Sequence, residues 1–237
     1  MIGAVIVAAG TSSRMSGLDK QFALLSGRPV LAHTVGAFEA LPEVDAIAVV
    51  VNPATAAAVR ALGAAAGWRK VVAFPPGGAR RQDSCANGLA ALAAATPPGA
   101  LDVVLVHDGA RPLVSAALIR RGIAAARAHG AAIPGVPARD TVKVVAPDGR
   151  IVETPDRSRL RLVQTPQVFR YALLAGAYAA AAARDLAVTD DAALLEALGQ
   201  QVYVFEGEPR NLKITTPEDL IVAAALLHAA NGVKPDT

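Results

Sequence analysis

The chain has 237 residues, of which 53% are hydrophobic and 18% are charged, and its formal net charge is +3. This length suits one domain with a possible appendage, and so small a charge does not by itself indicate a nucleic-acid-binding protein. One cysteine, Cys85, excludes an internal disulfide and a zinc site built on several cysteines. No charge-free apolar stretch reaches the roughly 20 residues of a membrane span, and no basic residue precedes the apolar start, so we expect a soluble, cytoplasmic protein.

Short apolar runs alternate with longer helical patterns along the first half of the chain. Strands buried on both faces are predicted at residues 2–8, 46–51, 70–74, 102–107 and 131–136, and helices near 30–40, 53–65, 82–95 and 115–129. This alternation predicts an α/β fold, with a mostly parallel, Rossmann-like sheet covered by helices on both faces. Ligands bind beyond the carboxyl ends of such strands, so the loops after residues 8, 74 and 107 are the predicted site.

The alternation stops after Pro137. Two segments, 140–145 and 150–154, alternate in the manner of strands around a turn that contains Asp148-Gly149, which predicts a β-hairpin. Because no helix is available to cover this hairpin, we expect it to project as an arm, at about residues 138–158, from a single domain that spans residues 1–237.

Further elements are predicted after the hairpin. Helices are expected at 170–183 and 190–198, with Thr189 as the N-cap of the second, and a strand at 201–206. The last helix is expected to begin with Thr216 as its N-cap and Pro217 in its first turn.

The loop after the first predicted strand contains small residues followed by basic ones. Ala8, Ala9 and Gly10 let the backbone approach a ligand closely, and Arg14 and Lys20 add positive charge. The spacing matches neither the dinucleotide-binding fingerprint nor the P-loop. A phosphate-binding loop is the favoured interpretation, and a flexible loop with solvated charges is the alternative.

Two later loops have comparable features. The second, Gly77-Gly78-Ala79-Arg80-Arg81-Gln82-Asp83-Ser84, places glycines and arginines at the start of a helix, where the alternative is a turn with capping residues. The third, Val106-His107-Asp108-Gly109-Ala110-Arg111-Pro112, places Asp108 at the end of a strand, a position typical of a metal or ribose ligand; a turn cap is the alternative. His107 is interpreted as structural.

The three loops together resemble the 2-C-methyl-D-erythritol 4-phosphate cytidylyltransferases of the non-mevalonate isoprenoid pathway. That family's motifs are met by Ala8-Ala9-Gly10 with Arg14 and Lys20, by Gly77, Gly78, Arg81 and Ser84, and by the run from Val106 to Pro112. Further matches follow in order at Arg139-Asp140-Thr141, Asp156-Arg157, Thr165-Pro166-Gln167, Thr189-Asp190 and Asn211-Leu212-Lys213-Ile214-Thr215. The chain departs from the family pattern at Val7, Ser12 and Asp19, which leaves the shape of the first loop open.

The resemblance implies a nucleotidyltransferase that moves CMP from CTP to a polyol phosphate. It implies catalytic roles for Arg14, Lys20 and Lys213, CTP contacts from Ala8, Ala9, Gly10, Gly78, Arg81, Ser84, Asp108 and Gly109, and acceptor contacts from Asp108, Arg111, Thr141, Arg157, Thr165 and Lys213. It also implies Mg²⁺ held mainly by the CTP phosphates with Asp108 nearby, no metal site made of protein ligands alone, and a homodimer in which the arm carries Thr141 and Arg157 to the neighbouring subunit.

Two other functions stay open at this stage. A ribitol-5-phosphate cytidylyltransferase would share the three loops, although Asp140-Thr141-Val142-Lys143 and Thr189-Asp190-Asp191 favour the methylerythritol enzyme. A non-catalytic nucleotide-binding sensor could keep the glycine loops but would not need Lys20 and Lys213, both of which this chain has.

Overall fold

The computed structural model describes residues 1–10, 19–184, 186 and 188–230. The strands in this part of the chain are β1 (Ile2–Ala8), β2 (Leu24–Leu25), β3 (Arg28–Pro29), β4 (Ala46–Val51), β5 (Val71–Ala73), β6 (Val103–Asp108), β7 (Ala131–Pro137), β8 (Val144–Val145), β9 (Ile151–Glu153), β10 (Arg161–Val163), β11 (Gln167–Arg170) and β12 (Tyr203–Glu206). The helices are α1 (Val30–Glu39), α2 (Ala56–Ala66), α3 (Arg81–Ala94), α4 (Ala116–His129), α5 (Tyr171–Arg184), α6 (Asp191–Ala197) and α7 (Pro217–Ala230).

The central sheet is mixed but mostly parallel, as predicted. Its strand order is β10-β7-β11-β6-β1-β4-β5, and β12 pairs with β7. The pairs β1–β4, β1–β6, β4–β5 and β7–β12 are parallel, whereas β11 runs antiparallel between β6 and β7. The carboxyl ends of β1, β4, β5 and β6 therefore meet at one edge of the sheet.

Alternating side chains of the strands divide the core into two layers. Along β1, Ile2, Ala4 and Ile6 pack into one apolar cluster, whereas Val5 packs into the other. This is the two-residue period of a strand whose two faces are both covered. Helices α1, α2 and α4 supply the first cluster and α3, α5 and α6 the second, so the prediction of helices on both faces is confirmed.

Some predicted elements differ from those observed. The strand predicted at 70–74 is not buried on both faces: β5 lies at the sheet edge, and Val72 is 44% exposed. Four strands, β2, β3, β10 and β11, were not predicted, because all are short and lack a clear alternation. Arg170, predicted to begin a helix, ends β11, and Asp190 rather than Thr189 caps α6 because its Oδ1 accepts from the Ala193 N–H at 2.8 Å.

The hairpin after β7 is present in shortened form. Strands β8 and β9 pair only with each other, and all five of their residues are exposed. The last helix begins at Pro217, as predicted. Within the described ranges, no helix has both the length and the apolar character needed to cross a membrane.

Candidate active site

A cavity of about 320 Å³ opens at the carboxyl ends of β1 and β6, beside the loop that follows β5. It lies where the order of the strands places the ligand site of an open α/β sheet. Its lining residues include four basic side chains, one carboxylate and several small residues: Lys20, Arg80, Arg81, Lys213, Asp108, Val7, Ala9, Gly10, Gln21, Gly78, Ala79, Ser84 and Ala110.

The floor of the cavity depends on the close approach of β1 and β6. Their register pairs Val7 with Asp108, and the N–H of Gly109 donates to the Val7 carbonyl at 2.9 Å. A Cβ atom at Gly109 would lie 3.0 Å from Gln21 Oε1 and 3.1 Å from both Ala8 Cβ and the Val7 oxygen. A side chain at position 109 would therefore push apart the groups that surround Asp108.

The glycine loop after β5 forms one wall of the cavity. Gly77 donates its N–H to the Val51 carbonyl at 2.8 Å, and a Cβ atom there would lie only 2.3 Å from Ala9 Cβ. The Gly78 N–H donates to Ser84 Oγ at 3.0 Å, and the Ser84 hydroxyl donates to the Arg80 carbonyl at 3.2 Å. Gly78 and Ser84, two residues predicted to contact the ligand, thus line the cavity. In this structure the Gly78 N–H and the Ser84 hydroxyl both donate within the loop and fix its shape.

Asp108 is the centre of charge in the cavity. Its carboxylate lies 3.0 Å from Lys213 Nζ, 3.5 Å from Arg111 Nε and 3.7 Å from Arg81 Nε. Burial works against its negative charge, but Lys213, Arg81 and Arg111 together outweigh that cost and hold the pKa of the Asp108 carboxyl well below its usual range. The carboxylate is therefore ionised at neutral pH.

Thr165 and His107 form a chain of hydrogen bonds that holds the backbone of Asp108 in place. The Thr165 hydroxyl accepts the Asp108 N–H at 3.1 Å and lies 3.0 Å from His107 Nδ1. Burial lowers the pKa of His107 to about 3, so the ring is neutral. Since Nε2 lies 3.3 Å from the Arg111 carbonyl, we assign the proton to Nε2, which leaves Nδ1 to accept the Thr165 hydroxyl proton. The structural interpretation of His107 is supported.

The segment before α7 brings Lys213 to the cavity. Asn211 is fully buried; its side-chain amide donates to the Thr165 carbonyl at 2.7 Å, and its main-chain carbonyl accepts from Arg111 Nη1 at 2.7 Å. The Ile214 N–H donates to the Ala110 carbonyl at 2.8 Å. These contacts on both sides of Lys213 fix its backbone against the loop that carries Asp108.

Arg81 has a second acidic partner that the sequence analysis did not identify. Its Nη1 donates to Asp191 Oδ2 at 2.8 Å, and the Asp191 side chain has no exposed surface. Burial disfavours the charge of Arg81, but Asp191 and Asp108 more than offset this, so the pKa of the guanidinium is raised. The only indication in the sequence that Asp191 has a role was that it belongs to the run Thr189-Asp190-Asp191, which favours the methylerythritol enzyme.

The predicted site residues fall into groups. Ala9, Gly10, Lys20, Gly78, Arg81, Ser84, Asp108 and Lys213 line the cavity, whereas Ala8, Gly109, Arg111 and Thr165 do not. Thr141 and Arg157 are exposed residues at the hairpin and do not line this cavity. Arg14 lies outside the described residues.

Gln21 is a lining residue whose role was not predicted, although it follows Lys20 directly in the sequence. Cys85 is buried, and burial raises the pKa of its thiol, which fits a packing role for this residue.

Taken together, the described lining residues carry four positive charges against one negative charge. A cavity with this balance, built from small-residue loops at the carboxyl ends of parallel strands, suits a phosphate-bearing nucleotide. The fold and cavity thus define a nucleotide-binding protein of the α/β class.

Comparison with known proteins gives the family. The family model for IspD, 2-C-methyl-D-erythritol 4-phosphate cytidylyltransferase, matches residues 2–229. The protein of that name from Dehalococcoides mccartyi is 46% identical over 226 residues, which cover 95% of this chain and 96% of the relative. The protein of that name from Desulforamulus reducens is 45% identical over 232 residues, which cover 97% of each chain. The chain belongs to this family of cytidylyltransferases.

Two solved structures support the same family assignment. The 4-diphosphocytidyl-2C-methyl-D-erythritol synthase of Anaerococcus prevotii superposes with a TM-score of 0.83 at 33% identity, covering 96% of each chain. The 2-C-methyl-D-erythritol 4-phosphate cytidylyltransferase of Thermus thermophilus superposes with a TM-score of 0.73 at 35% identity, covering 94% of this chain and 98% of that one.

Proposed function

We propose that this protein transfers CMP from CTP to 2-C-methyl-D-erythritol 4-phosphate, giving 4-diphosphocytidyl-2-C-methyl-D-erythritol and pyrophosphate in non-mevalonate isoprenoid biosynthesis. The observation that carries the proposal is the cation-lined cavity around Asp108, in a chain that belongs to the cytidylyltransferase family. The substrates follow from the names of the relatives, and the charge of the cavity suits two anionic reactants.

The chemistry is an in-line displacement at the α-phosphorus of CTP. An oxygen of the acceptor phosphate forms the new P–O bond, the bond from the α-phosphorus to the bridging oxygen breaks, and pyrophosphate leaves with that electron pair. The protein has to align two anions and neutralise the charge that develops, and no covalent intermediate is required.

We assign these tasks by position around the cavity, and for Arg14 by the family resemblance alone. In this assignment the loop of Ala8, Ala9 and Gly10 with the wall at Gly78 and Ser84 holds CTP, and Asp108 and Gly109 contact its ribose. Lys20, together with Arg14, stabilises the charge on the α-phosphate and the leaving group. Lys213 and Arg111 attract the acceptor phosphate, with Asp108 between them and Thr165 below.

Mg²⁺ is proposed to enter with the nucleotide. Among the described residues, no group of three or more His, Cys, Asp or Glu side chains could hold a metal ion, and Asp108 is the one carboxylate that lines the cavity. Asp108 would be able to supply one oxygen ligand to an ion that CTP phosphates and water would chiefly hold, as Mg²⁺ commonly prefers. Bound there, it would neutralise phosphate charge.

The hairpin supports a proposed homodimer. Val144, Val145, Ile151 and Val152 on β8 and β9 are 43–58% exposed, and Leu162 and Val163 on β10 add further exposed apolar surface. An exposed two-stranded hairpin with apolar side chains is only marginally stable alone. A two-fold partner would cover this surface and receive Thr141 and Arg157 as acceptor-binding residues.

A direct turnover assay tests the function. Purified protein with CTP and Mg²⁺ is offered 2-C-methyl-D-erythritol 4-phosphate or ribitol 5-phosphate, and pyrophosphate release is followed. We expect turnover with the first acceptor and at most about 1% of that rate with the second, a ratio that corresponds to roughly 2.7 kcal/mol of discrimination. Faster turnover with ribitol 5-phosphate would contradict the proposed acceptor, and CTP binding without turnover of either would indicate a nucleotide sensor.

A further inference from the structure

A buried acidic residue behind the cavity contacts one of its basic lining residues. Asp191, the first residue of α6, has no exposed side-chain surface, and its Oδ2 accepts from Arg81 Nη1 at 2.8 Å. The hydroxyl of Tyr178 on α5 donates to its other oxygen, Oδ1. Both carboxylate oxygens are thereby engaged, one by the Arg81 guanidinium and one by a neutral phenol.

The backbone of Asp191 is also fixed. Gln167 on β11 accepts the N–H groups of Asp191 and Ala192 through its Oε1, both at 3.1 Å, and its amide donates to Asp190 Oδ2 at 2.8 Å. Gln167 itself is 1% exposed. The start of α6 is thus tied to the central sheet, and the Asp191 carboxylate has a fixed position relative to the cavity.

The charge of Asp191 is costly unless it is compensated. A carboxylate with no exposed surface loses its hydration, and a cationic hydrogen-bond partner is needed to offset that loss. The N-terminus of α6 favours a negative charge in its first turn, but the cap itself is Asp190. The cation that compensates the buried charge of Asp191 is Arg81.

Arg81 lies between two carboxylates at unequal distances. Its Nη1 is 2.8 Å from Asp191, whereas its Nε is 3.7 Å from Asp108. Asp191 holds the guanidinium at the cavity wall, away from a close pair with Asp108, whose nearest cation is then Lys213 at 3.0 Å. The guanidinium has five N–H donors in a fixed plane, so donors remain for a ligand in the cavity.

We propose that Asp191 is a positioning residue for nucleotide binding: it orients Arg81 for contact with CTP and keeps Asp108 paired with Lys213. The inference rests on the proposed function, since it takes CTP as the ligand of this cavity. It predicts an effect on CTP binding from a residue that does not itself line the cavity.

The test is a double-variant cycle with Asp191→Asn and Arg81→Met. Asp191→Asn keeps the size of the side chain and removes its charge. We expect it to raise KM for CTP about tenfold while kcat changes less than about twofold, a result typical of lost ground-state binding through one charge-assisted contact. Calorimetric titration with CTP alone should give a matching loss of affinity.

The second half of the cycle tests whether the increase of KM for CTP in Asp191→Asn depends on Arg81. In the Arg81→Met background, Asp191→Asn should change KM for CTP by less than about twofold, because the group that it positions is gone. Arg81→Met alone leaves the buried Asp191 charge unpaired and is at risk of misfolding, whereas the double variant removes both charges. Arg81→Lys, which keeps the positive charge, serves as a second background.

Glu196→Gln is the matched control. Glu196 lies on the same helix, is exposed and does not line the cavity, so removal of its charge should leave KM for CTP unchanged. Equal increases of KM in Glu196→Gln and Asp191→Asn, or a full effect of Asp191→Asn in the Arg81 backgrounds, would overturn the positioning role. An unchanged KM for CTP in folded Arg81→Met would instead overturn the assignment of this cavity to CTP, and the inference with it.

Discussion

At the scale of single residues, the site is a balance of charges around Asp108. Lys213, Arg111 and Arg81 surround one ionised carboxylate, and Lys20 faces it from the loop after β1. The surplus of positive charge is what two anionic substrates require, since their mutual repulsion would otherwise oppose the reaction.

Lys20→Ala should lower kcat about a hundredfold or more and leave the fold intact, because one preorganised charge-stabilising group is lost. Steady-state turnover together with circular dichroism checks both parts. Lys70→Ala is the matched control: Lys70 directly precedes β5, at the end of that strand away from the cavity, so turnover should be retained. Near-normal turnover in folded Lys20→Ala would contradict the role assigned to Lys20.

His107 makes stability depend on pH. Burial holds the pKa of His107 at about 3, below the unfolded value of 6.5, so between these values the unfolded chain binds a proton that the folded chain does not. The free energy of unfolding should therefore fall as pH drops from 6.5, by up to about 1.4 kcal/mol per pH unit from this residue.

Urea unfolding at pH 7 and pH 5 measures this effect. His107→Gln, which removes the titrating ring, should lose about 2 kcal/mol less than the parent protein between these pH values. Part of the slope should remain, because burial also lowers the pKa of His33. An identical loss in both proteins would show that His107 becomes protonated in the folded state.

At the scale of elements, the glycine loops and α3 set the shape of the site. Arg81 is the first residue of α3, so the position of this helix on the sheet fixes one wall of the cavity. Gly88 permits the contact, because a Cβ atom there would lie 2.4 Å from Val5 Cγ1 and 2.8 Å from Val50 Cγ2.

Gly88→Ala should reduce the free energy of unfolding by about 1–3 kcal/mol, because α3 has to move off β1 and β4. Denaturant titration measures the change. Gly176→Ala on α5 is the control: apart from the adjoining backbone of α5 and the two neighbouring residues, no described heavy atom lies within 4 Å of the added Cβ, so it should be neutral or stabilising. Equal stability of the two variants would mean that the packing at Gly88 is looser than described.

Sequence patterns predicted the parallel part of the fold best. The strands at Ile2–Ala8 and Ala46–Val51 were predicted with the observed bounds, because continuous apolar runs between turns leave little choice. The antiparallel strand Gln167–Arg170 was missed, since its burial depends on β6 and β7, which are distant in sequence.

The site was predicted in part. The loops around Gly10, Gly78 and Asp108 do meet, as the topology required. The contact of Arg81 with Asp191 was not predicted, because the two residues are 110 positions apart and leave no local pattern in the sequence.

At the scale of the whole molecule, the exposed hairpin argues for a second subunit. The hollow at its base, about 550 Å³, is lined by residues such as Pro137, Val142 and Leu162, and Thr141 stands next to it in the sequence. A partner's arm would bring acceptor-binding residues to the cavity around Asp108, so the dimer would be needed for catalysis.

Mixing two inactive variants tests that arrangement. Lys20→Ala and Thr141→Arg proteins are combined under conditions in which subunits exchange. If Thr141 acts across the interface, mixed dimers contain one intact site, and about a quarter of parent activity should return for random pairing. Confirmed exchange without recovered activity would mean that each subunit supplies its own threonine.

The central claim is that CTP binds in the cavity between the loop after β1, the glycine loop and Asp108. A crystal structure of the protein with CTP and Mg²⁺ tests it most directly. The account predicts the triphosphate beside Lys20, the ribose near Asp108 and Gly109, and the Arg81 guanidinium in contact with both CTP and Asp191. CTP bound elsewhere on the protein, with this cavity empty, would contradict it.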